Sequence, residues 1–301
     1  MKTLTVFTPS YNRADLLPRC YEALKRQTSK DFIWMIIDDG SKDNTRELIE
    51  NWIKVEKDFE ILYYYKENGG LHTAYNLAIE KMYTELAVCI DSDDYMPDNA
   101  VELIVEFWRK NGSDKYAGIT GLDFNAKDGK NIGGYYPNNQ KSINLIDVLT
   151  GKYPDVWGDK KHVVRTELYK EVAPMGNFEG EKNFNPHCLH LKISQKYDFL
   201  ILNENLCFVD YQESGMTNSM FWQYYNSPNS FAEIRLLYLS FKGTSLKFKI
   251  KNCIHYDSSC ILAKRKHFIK KCPNSFISAL CLPVGFILSR VIIFKNRNRR
   301  K

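Results

Sequence analysis

Residues 86–94 read Leu-Ala-Val-Cys-Ile-Asp-Ser-Asp-Asp, an apolar run that stops abruptly at three carboxylates. Apolar residues followed at once by acidic ones are typical of a buried parallel strand whose carboxyl end opens onto a binding crevice. Such carboxylates suit Mg²⁺ or Mn²⁺, which bind one or two of them and fill the remaining positions with water and phosphate oxygens. An acidic turn before a helix that begins near Pro97 would look the same, so this stretch alone leaves both interpretations open.

The residues upstream repeat one unit, a strand followed by a loop and a helix. Apolar or β-branched runs at 3–8, 32–37 and 61–65 predict strands, and apolar residues at helical spacing follow each of them. Asp43 or Asn44 can cap the second helix. Strands that alternate with helices of this length predict right-handed crossovers and an α/β fold, a mostly parallel sheet flanked by helices on both faces.

Polar side chains follow each of the predicted strands. Because the carboxyl ends of parallel strands meet at one edge of a sheet, we expect these side chains to share one crevice. The aspartates after the second strand have an alternative role, since they could simply hold their turn through local hydrogen bonds. The residues expected in the crevice are Ser10, Tyr11, Asp38, Asp39, Asn68 and Asp93.

Four motifs in this order resemble the family 2 glycosyltransferases, which have the GT-A fold. They are Pro-Ser-Tyr-Asn-Arg at 9–13, Ile-Asp-Asp-Gly-Ser-Lys-Asp-Asn-Thr at 37–45, Asn-Gly-Gly at 68–70 and Asp-Ser-Asp-Asp at 91–94. The resemblance covers residues 1–125 closely and the stretch to Gln212 more weakly. It implies an inverting transferase that uses a nucleoside-diphosphate sugar, most often a UDP-sugar, and a divalent metal, Mg²⁺ or Mn²⁺.

The resemblance also implies roles for single residues. Tyr11 can offer its ring face to a uracil, and Asp38 or Asp39 can accept a hydrogen bond from the ring nitrogen. Asp93 is expected to hold the metal that neutralises the leaving diphosphate. The candidate metal ligands are Asp93, Asp91 and Asp94, of which the last two have ribose, metal-water or structural contacts as alternatives. The candidate nucleotide-sugar-binding residues are Pro9, Ser10, Tyr11, Asn12, Arg13, Asp38, Asp39, Asn68, Gly70, His72, Asp91 and Ser92.

The sequence departs from the family pattern at two places. Relatives often carry a Lys after the Gly-Gly pair, but here Leu71 stands there, so His72 or the metal alone would neutralise the donor phosphates. The carboxylate expected to deprotonate the acceptor is replaced by His187, after Pro186. A neutral imidazole can act as that base. Glu179 and Glu181 are substitutes, and a weak or inactive enzyme is the alternative.

Length and composition set outer bounds on the domain organisation. The chain has 301 residues, 44% apolar and 26% charged, enough for one large α/β domain and an appendage. We expect a GT-A domain over 1–215, with a nucleotide-sugar half at 1–125 and an acceptor and catalytic half at 126–215, and a helical extension over 216–301. The eight cysteines form no Cys-x-x-Cys pair and no secretory signal is recognisable, so we expect reduced thiols and a cytoplasmic setting.

The last third of the chain is aromatic and basic. Residues 276–294 are largely apolar, contain Pro283 and Arg290, and have basic residues on both flanks. We expect this segment to lie in the interface at the inner face of a membrane rather than to span it, with the basic flanks drawn to anionic lipid. A buried helix that covers the sheet is the alternative. The net charge of +6 comes with no nucleic-acid motif, so nucleic-acid binding is disfavoured.

The sequence therefore predicts a glycosyltransferase that adds one sugar to a glycan acceptor, in particular a lipid-linked surface glycan. A catalytically silent, transferase-like binding subunit is the alternative, motivated by Leu71 and His187. A sugar-phosphate nucleotidyltransferase would need an N-terminal glycine-rich loop, and a dinucleotide dehydrogenase would need Gly-x-Gly-x-x-Gly after the first strand. Neither pattern is present. The sugar, the acceptor, the linkage and the oligomeric state are left open.

Overall fold

The computed structural model describes residues 2–212 and 220–297, which form two compact units. Unit 1 comprises the described residues up to Pro174 together with Leu189–Gln212, and unit 2 comprises Met175–Cys188 and the described residues after Gln212. The predicted domain boundary at 215/216 lies in 213–219, outside the described residues. Met175–Cys188, which we expected in the acceptor half of the first domain, belongs instead to the unit of the C-terminal helices.

Unit 1 is built on one eight-stranded sheet. The strands are β1 (Leu4–Ser10), β2 (Phe32–Asp38), β3 (Glu60–Tyr65), β4 (Leu86–Cys89), β5 (Tyr116–Asn125), β6 (Ser142–Ile143), β7 (Lys160–Arg165) and β8 (Asp198–Val209). Their order across the sheet is β3-β2-β1-β4-β7-β5-β8-β6. The first four strands pair in parallel, as do β5 and β8, whereas β7 and β6 are antiparallel to their neighbours. The predicted α/β class and mostly parallel sheet are confirmed.

Helices follow the first three strands as the apolar spacing predicts, a fourth helix follows β4, and three more lie between β6 and β8. They are α1 (Leu17–Lys25), α2 (Thr45–Val55), α3 (Leu71–Lys81), α4 (Ala100–Asn111), α5 (Leu145–Leu149), α6 (Thr166–Val172) and α7 (His187–Ser194). Of the two residues expected to cap α2, Asp43 does so, because its Oδ1 accepts the Thr45 N–H at 3.1 Å, and the Asn44 side chain makes no capping bond.

The register of the first three strands places their loops side by side. Ser10 at the end of β1 pairs with Asp38 at the end of β2, and Asp38 pairs with Tyr65 at the end of β3. Every residue of β1 and β2 is buried. The Trp34 indole N–H donates to the Thr8 hydroxyl at 3.0 Å, which pairs a polar group of β2 with one of β1 inside this core. The three loops therefore begin at one level of the sheet edge.

Unit 2 is helical. Its helices are α8 (Met220–Asn226), α9 (Pro228–Ser240), α10 (Leu246–Leu262), α11 (Phe268–Lys271) and α12 (Ser275–Asn296). Within the described parts of the chain, α12 is the one helix long and apolar enough to cross a membrane. It continues through Pro283 without a break. All the cysteines are free thiols, and every one except Cys89 is buried.

Two glycines with left-handed backbone allow the cost of backbone strain to be measured apart from the cost of a steric clash. Gly40 has φ +82°, and an added Cβ would lie 2.7 Å from the Asn68 backbone nitrogen; Gly129 has φ +68° and open space around it. We expect Gly129→Ala to cost about 1 kcal/mol of unfolding free energy for the backbone conformation alone. Gly40→Ala should cost about 3 kcal/mol because it also displaces the neighbouring loop. Urea unfolding of both variants gives the comparison, and equal losses would show that the loop at Asn68 yields freely.

Candidate active site

The carboxylate of Asp39 organises the loop that follows β3. Its Oδ1 accepts from the Lys66 ammonium at 2.6 Å and from the Gly69 N–H at 2.9 Å. Its Oδ2 accepts from the Gly70 N–H at 2.8 Å and from the Asn68 side-chain amide at 3.2 Å. Asp39 is buried, so these charge-assisted bonds form away from bulk water. They fix the Asn-Gly-Gly turn and, through it, the start of α3.

Asp38 is committed in the same way to its own turn. Its Oδ1 accepts the Ser41 N–H at 2.8 Å, and its Oδ2 accepts the Tyr63 hydroxyl at 2.7 Å. Burial raises the pKa of Tyr63 well above its usual range, and the hydrogen bond to Asp38 adds to this. Local hydrogen bonding, the alternative that the sequence left open, is therefore present for both aspartates. Base recognition by either of them stays a prediction.

The loop after β1 is tied to the loop after β2. The Asn12 N–H donates to the Ser41 hydroxyl at 2.9 Å, and the Asn12 side-chain oxygen accepts the Lys42 N–H at 2.7 Å. Asn12 has φ +51°, a left-handed conformation that asparagine adopts more readily than most residues. Tyr11 beside it is 44% exposed, so its ring face is accessible to a planar ligand. Pro9 and Ser10 are buried in β1.

The acidic residues after β4 differ in exposure. Asp91 is exposed, Asp93 is half-buried, and Ser92 and Asp94 are buried. Asp94 Oδ1 accepts the Asp210 N–H at 3.0 Å, so this carboxylate joins the end of β4 to the end of β8. Of the three contacts that the sequence left open for Asp94, the structure shows a structural one. Asp91 and Asp93 are the carboxylates that solvent reaches.

The electrostatics of this acidic stretch favour a bound cation. Burial raises the pKa of Asp93, and the negative charge of Asp91 adds to the shift while Arg13 opposes it. Burial raises the pKa of Asp94 to about 8, with Lys161 opposing and Asp91 adding to the shift. The raised pKa values reflect the lost hydration of these carboxylates together with the repulsion between neighbouring negative charges, and a bound cation would favour the ionised forms. Asp91 and Asp93 therefore fit a hard divalent cation, both in the chemistry of their oxygens and in the charge that the site lacks.

Two basic residues that sequence reasoning missed stabilise the same region. The Arg19 guanidinium donates to the backbone carbonyl of Asp93 and forms an ion pair with Asp210 at 2.8 Å. Lys161 lies 3.7 Å from Asp123; Asp123 is buried, and the Lys161 side chain is 12% exposed. Burial raises the pKa of Asp123 to about 6 although Lys161 opposes the shift. Asp210 follows β8 directly, so the rule that acids follow strands could have found it, whereas nothing in the local sequence marks Arg19.

His72 does not fit the role expected of it. The side chain is fully buried in the first turn of α3, so it presents no surface to a donor phosphate. The prediction that His72 neutralises the donor phosphates is therefore wrong. The metal, the other candidate from the sequence, stays the predicted counter-charge for those phosphates. Gly70, the residue before α3, has φ +96° and donates its N–H to Asp39 as described above.

Glu181, one of the three candidate bases, has a structural role in unit 2. Its Oε1 accepts from the Asn229 N–H at 2.8 Å and side-chain amide at 2.9 Å. Its Oε2 accepts from the Ser230 N–H at 2.8 Å and hydroxyl at 2.7 Å. These donors belong to the first turn of α9, where a carboxylate satisfies free N–H groups and the helix dipole. With both oxygens occupied by hydrogen-bond donors, Glu181 is not placed as a proton acceptor.

The other two candidate bases also lie in unit 2. Glu179 is exposed. His187 is the first residue of α7, and its N–H donates to the Asn185 side-chain oxygen at 2.9 Å. Burial lowers the pKa of His187 to about 4, because the imidazolium loses its hydration. The ring is therefore neutral at physiological pH, the form that can accept a proton.

The matched family model is described as Glycosyl transferase family 2 and covers residues 5–159. The chain belongs to glycosyltransferase family 2. The matched residues include every loop of the crevice, from Pro9 to Asp94. The predicted family is confirmed, and with it the GT-A type of the α/β fold.

Curated relatives are longer than this chain. The hyaluronan synthase of Pasteurella multocida is 25% identical over 227 residues, which are 67% of this chain and 23% of the synthase. The putative teichuronic acid biosynthesis glycosyltransferase TuaG of Bacillus subtilis (strain 168) is 29% identical over 126 residues, 42% of this chain and 49% of TuaG. The chain thus spans half or less of the length of these two relatives.

Solved structures share the fold. S. aureus TarS 1-349 in complex with UDP-GlcNAc superposes with a TM-score of 0.60 at 16% identity, covering 99% of this chain and 92% of that one. The mannosyltransferase PcManGT from Pyrobaculum calidifontis, in complex with GDP-Man and Mn²⁺, has a TM-score of 0.58 at 16% identity, covering 95% of this chain and 80% of that one. At these identities the likeness establishes the fold alone.

The contacts of Glu181 predict a loss of stability rather than of catalysis when it is changed. Glu181→Gln replaces a carboxylate that accepts at both oxygens with an amide that must turn N–H groups toward other donors. We expect it to cost about 2–3 kcal/mol of unfolding free energy, while the exposed Glu179→Gln stays within about 0.5 kcal/mol of wild type. Urea unfolding and transfer per folded enzyme measure the two effects. A stable but inactive Glu181→Gln would restore Glu181 as a base.

Proposed function

We propose that this chain transfers a sugar from a UDP-sugar, with inversion, to a glycan acceptor. The observation that carries the proposal is the pair of solvent-accessible carboxylates of Asp91 and Asp93 at the carboxyl end of β4. Strand β4 pairs in parallel with β1, which is followed by the exposed ring of Tyr11. A carboxylate pair and an aromatic face together suit a nucleotide diphosphate with a divalent cation. The TarS complexes with UDP and UDP-GlcNAc support a uridine donor.

Asp91 and Asp93 are the residues that would hold the metal. A bound Mg²⁺ or Mn²⁺ would neutralise the charge that develops on the leaving diphosphate. Arg13 and Arg19 favour the ionised form of Asp93, whereas the negative charge of Asp91 disfavours it. The two arginines therefore offset part of the negative charge at Asp93. The Mn²⁺ complex of PcManGT supports the choice of cation.

His187 is the residue we propose as the general base. A neutral ring nitrogen takes the proton of the acceptor hydroxyl as that oxygen attacks the anomeric carbon. Because burial lowers its pKa to about 4, His187 is a weaker base than an ordinary imidazole, but it stays unprotonated over a wider pH range.

The acceptor we propose is a growing surface glycan, in particular a lipid-linked one, at the inner face of a membrane. The curated relatives named for hyaluronan and teichuronic acid synthesis support a glycan acceptor. The apolar α12, with Lys295 in its last turn and Arg297 directly after it, supports a membrane location, since basic residues beside an apolar segment are attracted to anionic lipid. The extreme C-terminus at 298–301, also basic, lies outside the described residues.

The metal assignment is tested by UDP binding with and without Mn²⁺. We expect wild type to bind UDP more tightly with Mn²⁺ than in chelator, and Asp93→Asn to lose most of that gain while it folds normally. Because the pKa of Asp93 is raised, protons compete with the cation, and the gain should fade on acidification earlier than at an ordinary carboxylate site. Calorimetry gives both affinities. The exposed Asp58→Asn is the matched control and should behave as wild type; equal UDP binding in chelator would remove the metal from the proposal.

The base assignment is tested by the pH dependence of transfer. An ordinary imidazole titrates near about 6.5, but the lowered pKa of His187 should move the acidic limb to about pH 4. His187→Ala should reduce transfer by a factor on the order of 10² to 10⁴ with little change in UDP affinity. His187→Glu, which restores the residue type of relatives, should retain activity. A wild-type protein that binds UDP but neither transfers nor hydrolyses any donor would favour the silent binding subunit.

A further inference from the structure

The contact between α10 and α12 is polar and closely spaced. The Ser278 hydroxyl on α12 donates to Asp257 Oδ1 on α10 at 2.5 Å, and both residues are fully buried. A Cβ added to Gly285 would lie 2.7 Å from the Asp257 Cβ, so the two helices approach as closely as a glycine allows. Small residues and polar pairs at a helix contact are typical of helices that pack in lipid.

The outer side of α12 has the opposite character. Its exposed residues are mostly large and apolar, which is the reverse of a helix that faces water. They are Phe276, Leu280, Val284, Phe286, Ile287, Val291 and Phe294, with exposures from 39% to 75%. Helix α12 therefore buries small and polar residues such as Ser278, Gly285 and Ser289 and exposes most of its large apolar ones.

An open groove lies on α10, the helix that packs against α12. Its volume is about 630 Å³, and it is lined by Leu246, Lys247, Ile250, Lys251, Ile254 and His255. The three aliphatic residues are spaced by four, so they form a stripe along one side of the helix, about 12 Å long at 1.5 Å per residue. The carbonyl oxygens of Ile250 and Ile254 face α12, at 4.0 Å from the Cys281 sulfur and 3.2 Å from the Cβ position of Gly285.

Two lysines supply the charge of the groove. Lys247 and Lys251 are one helical turn apart and exposed, and neither forms an ion pair with any residue that the structure describes. His255 adds no charge at neutral pH, since burial lowers its pKa to about 4, with Arg235 and Lys251 contributing. The groove thus combines an aliphatic stripe with two unpaired ammonium groups.

We propose that this groove binds one anionic phospholipid of the bilayer. The acyl chain lies on Leu246, Ile250 and Ile254, and the headgroup phosphate is held by Lys247 and Lys251. A soluble phosphate would make no use of the aliphatic stripe, and an uncharged hydrophobic ligand would make no use of the two ammonium groups. A phospholipid with an anionic headgroup can contact both. The inference rests on the proposed function at a membrane, and it adds to that function a discrete lipid site with a defined headgroup charge.

The test is lipid retention by the full chain in a neutral detergent, measured by native mass spectrometry. The probes are phosphatidylglycerol and phosphatidylcholine with the same acyl chains. We expect one phosphatidylglycerol per chain, bound at least about tenfold more tightly than phosphatidylcholine. Lys247→Glu with Lys251→Glu should weaken phosphatidylglycerol at least about tenfold. Lys110→Glu with Lys115→Glu, the same charge change at exposed positions of unit 1, should leave its affinity unchanged.

Two further arms test the chain and the headgroup separately. Ile250→Asn, at a position 39% exposed, should weaken retention of the lipid without unfolding the protein. Glycerol 3-phosphate should not displace the lipid; displacement would indicate a site for free phosphate and overturn the proposal. Equal retention by the groove and control variants, or equal binding of the two lipids, would also overturn it.

UDP binding by the same variants separates this inference from the proposed function. The lysine reversals should leave the affinity for UDP with Mn²⁺ unchanged. A chain that retains phosphatidylglycerol in the groove but does not bind UDP would refute the transferase proposal and leave the lipid site standing. A chain that binds UDP normally but shows no groove-dependent lipid retention would refute the lipid site alone.

Discussion

The hydrogen bonds of the Asp39 carboxylate are the interaction on which the crevice depends. One buried side chain at the end of β2 satisfies two backbone N–H groups, an amide and an ammonium from the loop after β3. Without that acceptor the loop would bury several unpaired donors, at about 1–3 kcal/mol each. The turn before α3, and hence the direction of that helix, therefore follows from a residue about thirty positions earlier in the chain.

Strands β1, β2 and β4 were predictable because a parallel strand covered on both faces is apolar or β-branched along most of its length. Strand β3, at the edge of the sheet and only partly buried, was recognisable by its run of apolar and aromatic residues. The alignment of the loops after β1, β2 and β3 followed from the same rule, as the first polar residue after each apolar run marks the sheet edge. The contacts of Asp39 could not be predicted, since they depend on how the loop at Lys66 folds back. His72 was wrongly predicted because its position shortly after Gly70 does not determine which side of α3 its ring faces.

Unit 2 was the harder part to predict. Glu181 caps α9 through residues 48 and 49 positions later, and no local pattern announces a partner at that separation. The segment Met175–Cys188 groups with the C-terminal helices for similar reasons, because the interactions that hold it are made by distant sequence. The composition of 276–294 indicated an apolar helix, but not that Ser278 and Gly285 would be its buried side.

The polar contact between α10 and α12 has a consequence for preparing this protein. Cutting the chain before α12 to improve solubility would expose Asp257 and strip α10 of the helix that packs along it. A water-soluble form is better obtained by replacing outward-facing residues such as Phe276, Leu280 and Ile287 with polar ones, because these side chains are exposed and contribute little to the helix contact. Helix α12 resembles a membrane anchor that could be removed, but it is part of the packing of unit 2.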